Sequence, residues 1–382
     1  MTKATKEDLY KQVINKIDEL EPELIEVCKF IHQNPELGLQ EYKASGLLCD
    51  VLKKNGFKIK KGLAGMETSF VATIGHSKDK PAIAFVCEYD ALPDIGHGCG
   101  HNIIATSSLG AALGLKEVFS KLKCGKISVI GTPAEETTNG KLPMIKAGIF
   151  DNLDAAMMIH PSNHNYVTRK ALGLVQVDIE FFGKPAHAAA SPDQGVNALD
   201  ALILFFNGIA LLRQQVPDDV RIHGIITDGG KARNIIPEYT RAEFLVRSVS
   251  QRTLFALLEK VKACADGAAL STGCTVKVEI YKDKILYDMN SDDKLAKLFY
   301  KHLENLGVKG EFNKETTHLG STDMGNVSQV APSIHPYLSI TDKDVPSHSS
   351  YFTKAAISEK GLKTMITGAK ALALTGLDVL VG

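Results

Sequence analysis

The chain has 382 residues, with 44 Lys+Arg balanced by 44 Asp+Glu, 44% hydrophobic residues and 23% charged ones. This composition excludes a disordered, collagenous or membrane-spanning polypeptide and is that of a soluble globular protein, long enough for two or three domains at ~150 residues each. Zero net charge, and a longest basic cluster at 58–61 that Ile59 interrupts, argue against a nucleic-acid or anionic-membrane partner.

The N-terminal residues mix Lys, Glu and Asp with apolar residues and lack the apolar core of a secretory leader, so cytoplasm is the expected address. Residues 7–31 carry apolar positions at helical spacing (Leu9, Val13, Ile17, Leu20, Leu24, Val27, Ile31), and Asn34-Pro35 ends that helix. A second helix is predicted over 41–54, then extended segments at 68–74 and 82–87. Helix 101–122, strand 126–131, short helix 142–147 and strand 155–159 follow, an alternation that predicts an α/β sheet with chemistry at strand ends. From 174 to 281 the order becomes strand, helix, strand, strand, helix, strand, the βαββαβ order of a ferredoxin-like unit. Its helix holds the most apolar stretch, 201–212, which is too short to span a bilayer. Alternating elements resume at 292, and a helical tail is predicted over 351–381. The expected organisation is therefore a mixed-sheet α/β domain formed by 1–171 and 287–382, with a smaller domain inserted at 172–286.

Seven cysteines (28, 49, 87, 99, 124, 264 and 274) are odd in number and scattered, which argues against a disulfide framework. Six read as buried thiols. Cys99 stands apart because it and His101 flank Gly100 just before a helix, whose N-terminal dipole favours thiolate. Both could face one cation, or Cys99 is a small buried residue and His101 a helix-start polar group. Glu135 and Glu136 follow the strand 126–130, where adjacent side chains diverge, so that one carboxylate could ligate and the other act as a base. His160 ends an apolar strand, where a hydrogen-bonded core histidine is the alternative, and His348 precedes the final helices. The recurrence of His, Cys and carboxylate donors at successive strand ends suits two divalent metals sharing a water.

Asp90-Ala91-Leu92-Pro93, Cys99-Gly100-His101-Asn102, Pro133-Ala134-Glu135-Glu136, His160-Pro161, Gly183-Lys184-Pro185-Ala186-His187-Ala188, Asn234-Ile235-Ile236-Pro237 and His348 occur in order. Together they resemble the di-metal amidohydrolases of peptidase family M twenty, in the branch of indole-acetyl-amino-acid hydrolases, hippurate hydrolase and p-aminobenzoyl-glutamate hydrolase. The run 321–328 and the His335-Pro336 pair further resemble dipeptidase-like members of that branch. The resemblance implies Cys99, His101, Glu136, His160 and His348 as metal ligands and Glu135 as general base. It makes the inserted domain a dimerisation lid whose His187 stabilises the oxyanion, commonly in the partner subunit. Asn234 and Arg247 match positions suited to a substrate carbonyl or carboxylate. The family's His-x-Asp ligand motif is here Glu88-Tyr89-Asp90, so Cys99 compensates and Asp90 is left to orient a ligand from behind.

The expected function is a metal-dependent hydrolase, loaded with zinc or manganese, that cleaves the amide bond of N-acyl amino acids or small dipeptide-like compounds as a homodimer. A dipeptidase requiring a free amino group and a catalytically silent metal- or metabolite-binding relative are the rivals. His97 is expected behind the ligands, and His32, His76, His223 and His302 at the surface or at caps. His318 and His335 are read as pocket lining, and His164 is left open. No G-x-S-x-G elbow supports a serine nucleophile.

Overall fold

The computed structural model describes residues 5–75, 79–122, 125–313, 315 and 319–382. The chain divides into two compact units, one formed by Met1–Arg169, Asn290–Lys314 and Asn326–Gly382, the other by Lys170–Met289 and Glu315–Gly325.

The first unit is built on a six-stranded sheet in the order Lys58–Lys61, Phe70–Ile74, Lys126–Thr132, Ala82–Glu88, Ala155–Met157, Ser333–Ile334. The first three strands pair antiparallel and the rest parallel, so the sheet is mixed. Its central strand Ala82–Glu88 is buried at every position, as expected of a strand covered on both faces. The helix His101–Phe119 is apolar almost all round and lies deep in the core, against Lys6–Gln33 and Glu359–Val381. Gly114 permits the contact with Lys6–Gln33, because a Cβ there would stand 2.5 Å from Ile17. The C-terminal helix Glu359–Val381 is long and apolar enough to cross a bilayer, yet most of it is buried inside this core.

A second sheet in the same unit, missed by periodicity because its strands have two or three residues, runs Glu311–Phe312, Tyr166–Thr168, Tyr337–Ser339, His160–Ser162. It corrects one expectation: His160 opens a strand of this sheet instead of closing the strand Ala155–Met157. The basic run Lys58–Lys61 is likewise an edge strand and not only a charge cluster.

The second unit has a four-stranded antiparallel sheet ordered Thr275–Ile280, Gly173–Phe182, Tyr239–Ser248, Arg221–Asp228, with helices Ala198–Leu212 and Gln251–Thr272 packed on it. Val175, Val177, Ile179 and Phe181 alternate inward along one strand and bury against Leu202, Phe205, Leu257 and Val261 of the helices. The expected boundaries 172–286 leave out the segment Glu315–Gly325, which belongs to this unit although most of the run 321–328 reads as part of the returning α/β chain.

Candidate metal centre

The strand Ala82–Glu88 leads into the loop that precedes the helix His101–Phe119. Gly100, at φ +75, makes the left-handed turn between Cys99 and His101, and a Cβ at this position would meet Pro161 at 2.8 Å. His101 is fully buried, with its Nδ1 2.9 Å from the Asp90 carbonyl oxygen and 3.0 Å from Asp90 Oδ1. Both partners only accept, so Nδ1 keeps its proton and Nε2 is the nitrogen that can release one and offer a lone pair to a cation. That Nε2 has no hydrogen-bond partner among the described residues. Asp90 Oδ2 accepts the Glu136 N–H at 3.0 Å, so one carboxylate fixes an imidazole and the backbone of the next donor.

Glu135 and Glu136 follow the strand Lys126–Thr132 through Ala134, a non-glycine residue at φ +59. Buried Glu41 holds this turn: one oxygen accepts the Ala134 N–H at 2.9 Å and the other the Thr68 hydroxyl at 2.7 Å. Sequence reasoning passed over Glu41 because it reads as an ordinary helix-start acid. Glu136 Oε1 is buried without a hydrogen-bond partner among the described residues, 3.8 Å from His101 Nε2 and 3.5 Å from His348 Nε2. His348, at φ +60, donates its backbone N–H to Gly98 O at 3.0 Å and sets its Nε2 2.8 Å from Cys99 Sγ. Left-handed backbone at two non-glycine positions costs of order 1–3 kcal/mol each, and both positions lie at the cluster. His160 donates Nδ1–H to Pro161 O at 2.7 Å, which leaves its Nε2 with the lone pair.

Ligand atoms of Cys99, His101 and His160 lie within 4.8 Å of one another, as do those of Cys99, Glu136 and His348 and those of His101, Glu135 and Glu136. All five expected ligands and the expected base are thus brought together in the first unit. Burial opposes charge on His101, but the Asp90 carboxylate outweighs it and holds the imidazole well above its usual pKa, a demand for positive charge that a cation meets. Burial pushes His160 down to about 4, keeping it a neutral donor. The expectation that the helix dipole would favour a Cys99 thiolate is corrected: burial pushes this thiol up, against the lowering effect of His101, so a bound cation has to supply the missing charge. Soft thiolate, imidazole and carboxylate donors with orphaned lone pairs fit transition-metal or zinc-type ions. His335 is buried beside His160, ring centroids 5.4 Å apart, with its Nε2 unpartnered among the described residues.

The second unit holds the other candidates. His187 is exposed, and its Nδ1 accepts the N–H groups of Ala189 and Ala190 at 3.2 and 3.1 Å, so the proton sits on Nε2. Asn234 is its neighbour, its carbonyl accepting the Ala188 N–H at 3.0 Å. Arg247 is half-buried on the strand Tyr239–Ser248. Its Nη1 donates to Ser321 Oγ at 3.4 Å, and its Nε has no partner among the described residues.

The remaining histidines separate. His302, expected at the surface or a cap, is buried, with Nε2 2.9 Å from Asp378 Oδ2: its helix Asp293–Asn305 turns this face onto the C-terminal helix. His97 points its Nε2 at Ile31 O, 3.1 Å away, and not at the ligand cluster. His164 and His223 are exposed, and His32 contacts Thr353 O. Cys264 is only half-buried, unlike the other described cysteines. His76, His318 and Cys124 lie outside the described residues.

The pattern described as Peptidase family M20/M25/M40 matches residues 84–373. Among curated proteins the chain is similar to a Mus musculus Xaa-Arg dipeptidase, 38% identical over 99% of this chain and 90% of the relative. It is also similar to one of the p-aminobenzoyl-glutamate hydrolase subunits of Escherichia coli strain K12, 29% identical over 81% of this chain and 67% of the relative. Among solved structures, the Bacillus subtilis YXEP protein, described as a dinuclear metal binding peptidase, superposes with a TM-score of 0.73 at 20% identity, covering 95% of this chain and 99% of its own; that likeness speaks for the fold. With the family pattern spanning most of the chain, and a 38% identical relative matched along nearly all of it, the chain belongs to peptidase family M20/M25/M40 and is a metal-dependent hydrolase.

Proposed function

We propose that the chain hydrolyses the amide bond of small dipeptides or N-acyl amino acids at a two-cation centre whose ligands are Cys99, His101, Glu136, His160 and His348. The observation that carries this reading is the pair of buried atoms without a hydrogen-bond partner among the described residues, His101 Nε2 and Glu136 Oε1, in a cluster of thiol, imidazole and carboxylate donors. Cys99, His101, Glu135 and Glu136 each belong to two of the donor groups, which supports a cluster large enough to hold two cations. Two zinc or manganese ions bound there would polarise the scissile carbonyl and acidify the attacking water. Glu135 takes the proton from that water and passes it to the leaving nitrogen. Asp90 keeps His101 in the tautomer that leaves Nε2 open, and Glu41 keeps the Glu135–Glu136 turn in place.

The unit built around 172–286 is read as a ferredoxin-like lid and dimerisation domain, a reading supported by its βαββαβ order and by its sheet, in which strands run fourth, first, third, second. Its edge strand exposes Ile225 and Ile226 and its helix Leu204 and Leu211, apolar side chains that suit a homodimer. His187 donates its Nε2–H to the developing oxyanion across that dimer, with Asn234 beside it. Arg247, whose Nε is unpartnered among the described residues, pairs opposite Leu174 at the other end of the strand Tyr239–Ser248 and binds the substrate carboxylate apart from them. Free, scattered cysteines support a cytoplasmic, reducing setting.

The similarity to an Xaa-Arg dipeptidase favours dipeptides within this class, including ones with a basic C-terminal residue. Turnover of one dipeptide with and without an N-acetyl cap, using manganese- and zinc-loaded protein, tests the reading. A preference for the free amine selects the dipeptidase, a preference for the cap selects the N-acyl hydrolase, and no hydrolysis of either by protein with two cations bound overturns the enzyme reading.

A further inference from the structure

The departure at Glu88-Tyr89-Asp90 places a second charged pair next to the donor cluster. Glu88 ends the central strand Ala82–Glu88, and Lys141 opens the short helix Lys141–Lys146. Both side chains are buried, at 1% and 0% exposure, and Lys141 Nζ donates to Glu88 Oε1 at 2.5 Å. The other oxygen, Oε2, lies 3.6 Å from His101 Nε2, the lone pair left open by Asp90. Glu88 acts electrostatically on His160 as well, so its charge bears on imidazoles of the same cluster. Stability alone gives little reason for such a pair, since apolar residues of similar volume often replace a buried ion pair without loss. A carboxylate pinned by one oxygen has its other oxygen in a set direction, and here that direction is the open nitrogen of His101.

We propose that Glu88 and Lys141 form a positioning pair for the metal centre, in which the Lys141 ammonium fixes and partly neutralises the Glu88 carboxylate, and the second Glu88 oxygen adds negative potential at the His101 ring that tunes cation affinity. The proposal rests on the metal-centre reading above. It assigns opposite effects to the two partners. Loss of the Glu88 charge removes attraction for a cation at His101, whereas loss of the Lys141 charge removes a repulsion and leaves an uncompensated carboxylate.

The test is titration of chelator-stripped full-length protein with Mn²⁺ alone, by calorimetry and chelator competition at pH 8, on wild type, Glu88→Gln, Lys141→Met and the charge-free double variant. Expected is a Kd about 10-fold or more weaker at one of two sites in Glu88→Gln, the scale for residues that support metal ligands. Lys141→Met should bind tighter than wild type at the same site. The double variant should bind more weakly than wild type but less so than Glu88→Gln, in which the Lys141 charge is left unopposed, and because it buries no lone charge it decides the matter if the single variants do not fold. Equal weakening in both single variants, or wild-type affinity in Glu88→Gln or in the double variant, overturns the pair's role. Wild-type protein that binds no Mn²⁺ at all would instead overturn the metal-centre reading itself.

Discussion

His101 and His187 show two ways in which this chain sets an imidazole. His101 is buried at the head of a core helix, its Nδ1–H held by the carbonyl and carboxylate of Asp90, its Nε2 without a hydrogen-bond partner among the described residues. His187 is exposed on a turn of the other unit, its Nδ1 accepting two backbone N–H groups and its Nε2 carrying the proton. The same side chain is thereby a lone-pair donor in one place and a proton donor in the other. The partner of Nδ1 decides which: acceptors force the proton onto it, and donors force the proton away. A buried carboxylate behind the ring suits a cation in front of it, whereas a ring held at Nδ1 by two amides turns an N–H outward, to a charge that develops only during reaction.

Four experiments would sharpen or break this contrast. The largest effect belongs to the carboxylates beside His101: Glu135→Gln should lower kcat by ~100-fold or more with metal content intact, while Glu136→Gln should deplete metal. Metal analysis and steady-state kinetics on both variants check this, and exchanged phenotypes would mean that base and ligand are inverted. On the other side, His187→Ala should lower kcat by ~100-fold without changing metal content, as for loss of an oxyanion donor. If it acts across a dimer, heterodimers of His187→Ala and Glu135→Gln chains should regain part of the activity; verified heterodimers that stay inactive contradict action in trans.

A smaller effect is expected for Arg247→Lys, which keeps the charge and loses the planar fork: kcat/KM should fall for free-acid substrates and hardly move for the matching amides. Equal loss on both would make Arg247 structural, tied to Ser321 alone. The mildest test concerns His302, buried like His101 but paired to Asp378 away from the donor cluster. Burial raises the Asp378 carboxyl, yet His302, Tyr10 and Lys6 outweigh it and hold the group below the ordinary carboxylate range. A depressed carboxylate stabilises above its unfolded pKa of ~3.9, and that contribution is lost as pH falls below it. Asp378→Asn should therefore cost ~2 kcal/mol at pH 7, the scale of hydrogen bonds to charged groups, and progressively less below about pH 4. Urea unfolding at both pH values measures the gap, and a gap that does not change with pH assigns the cost to packing.

Long amphipathic and fully apolar segments are legible because periodicity survives in one dimension. The helix Lys6–Gln33 buries the stripe from Leu9 to Ile31 that its spacing marks, Leu20 alone remaining half-buried, and the strand Ala82–Glu88 reads as a short apolar run. The two- and three-residue strands of the second sheet carry no such pattern, which is why His160 looked like the end of one strand and is the start of another.

Residue chemistry and chain order determined which donors this protein possesses: a thiol and an imidazole around Gly100, adjacent carboxylates after a strand, and histidines at 160 and 348. Only the tertiary structure decided what each can do. Glu41, Glu88 and Lys141 come from three separate elements and show their relation to Ala134 and His101 only when those elements pack. His302 became a core residue because a distant helix brings Asp378 to it. Proton positions, charge balance and open lone pairs depend on contacts within a few ångströms, and contacts between residues tens to hundreds of positions apart are set by packing, not by spacing along the chain.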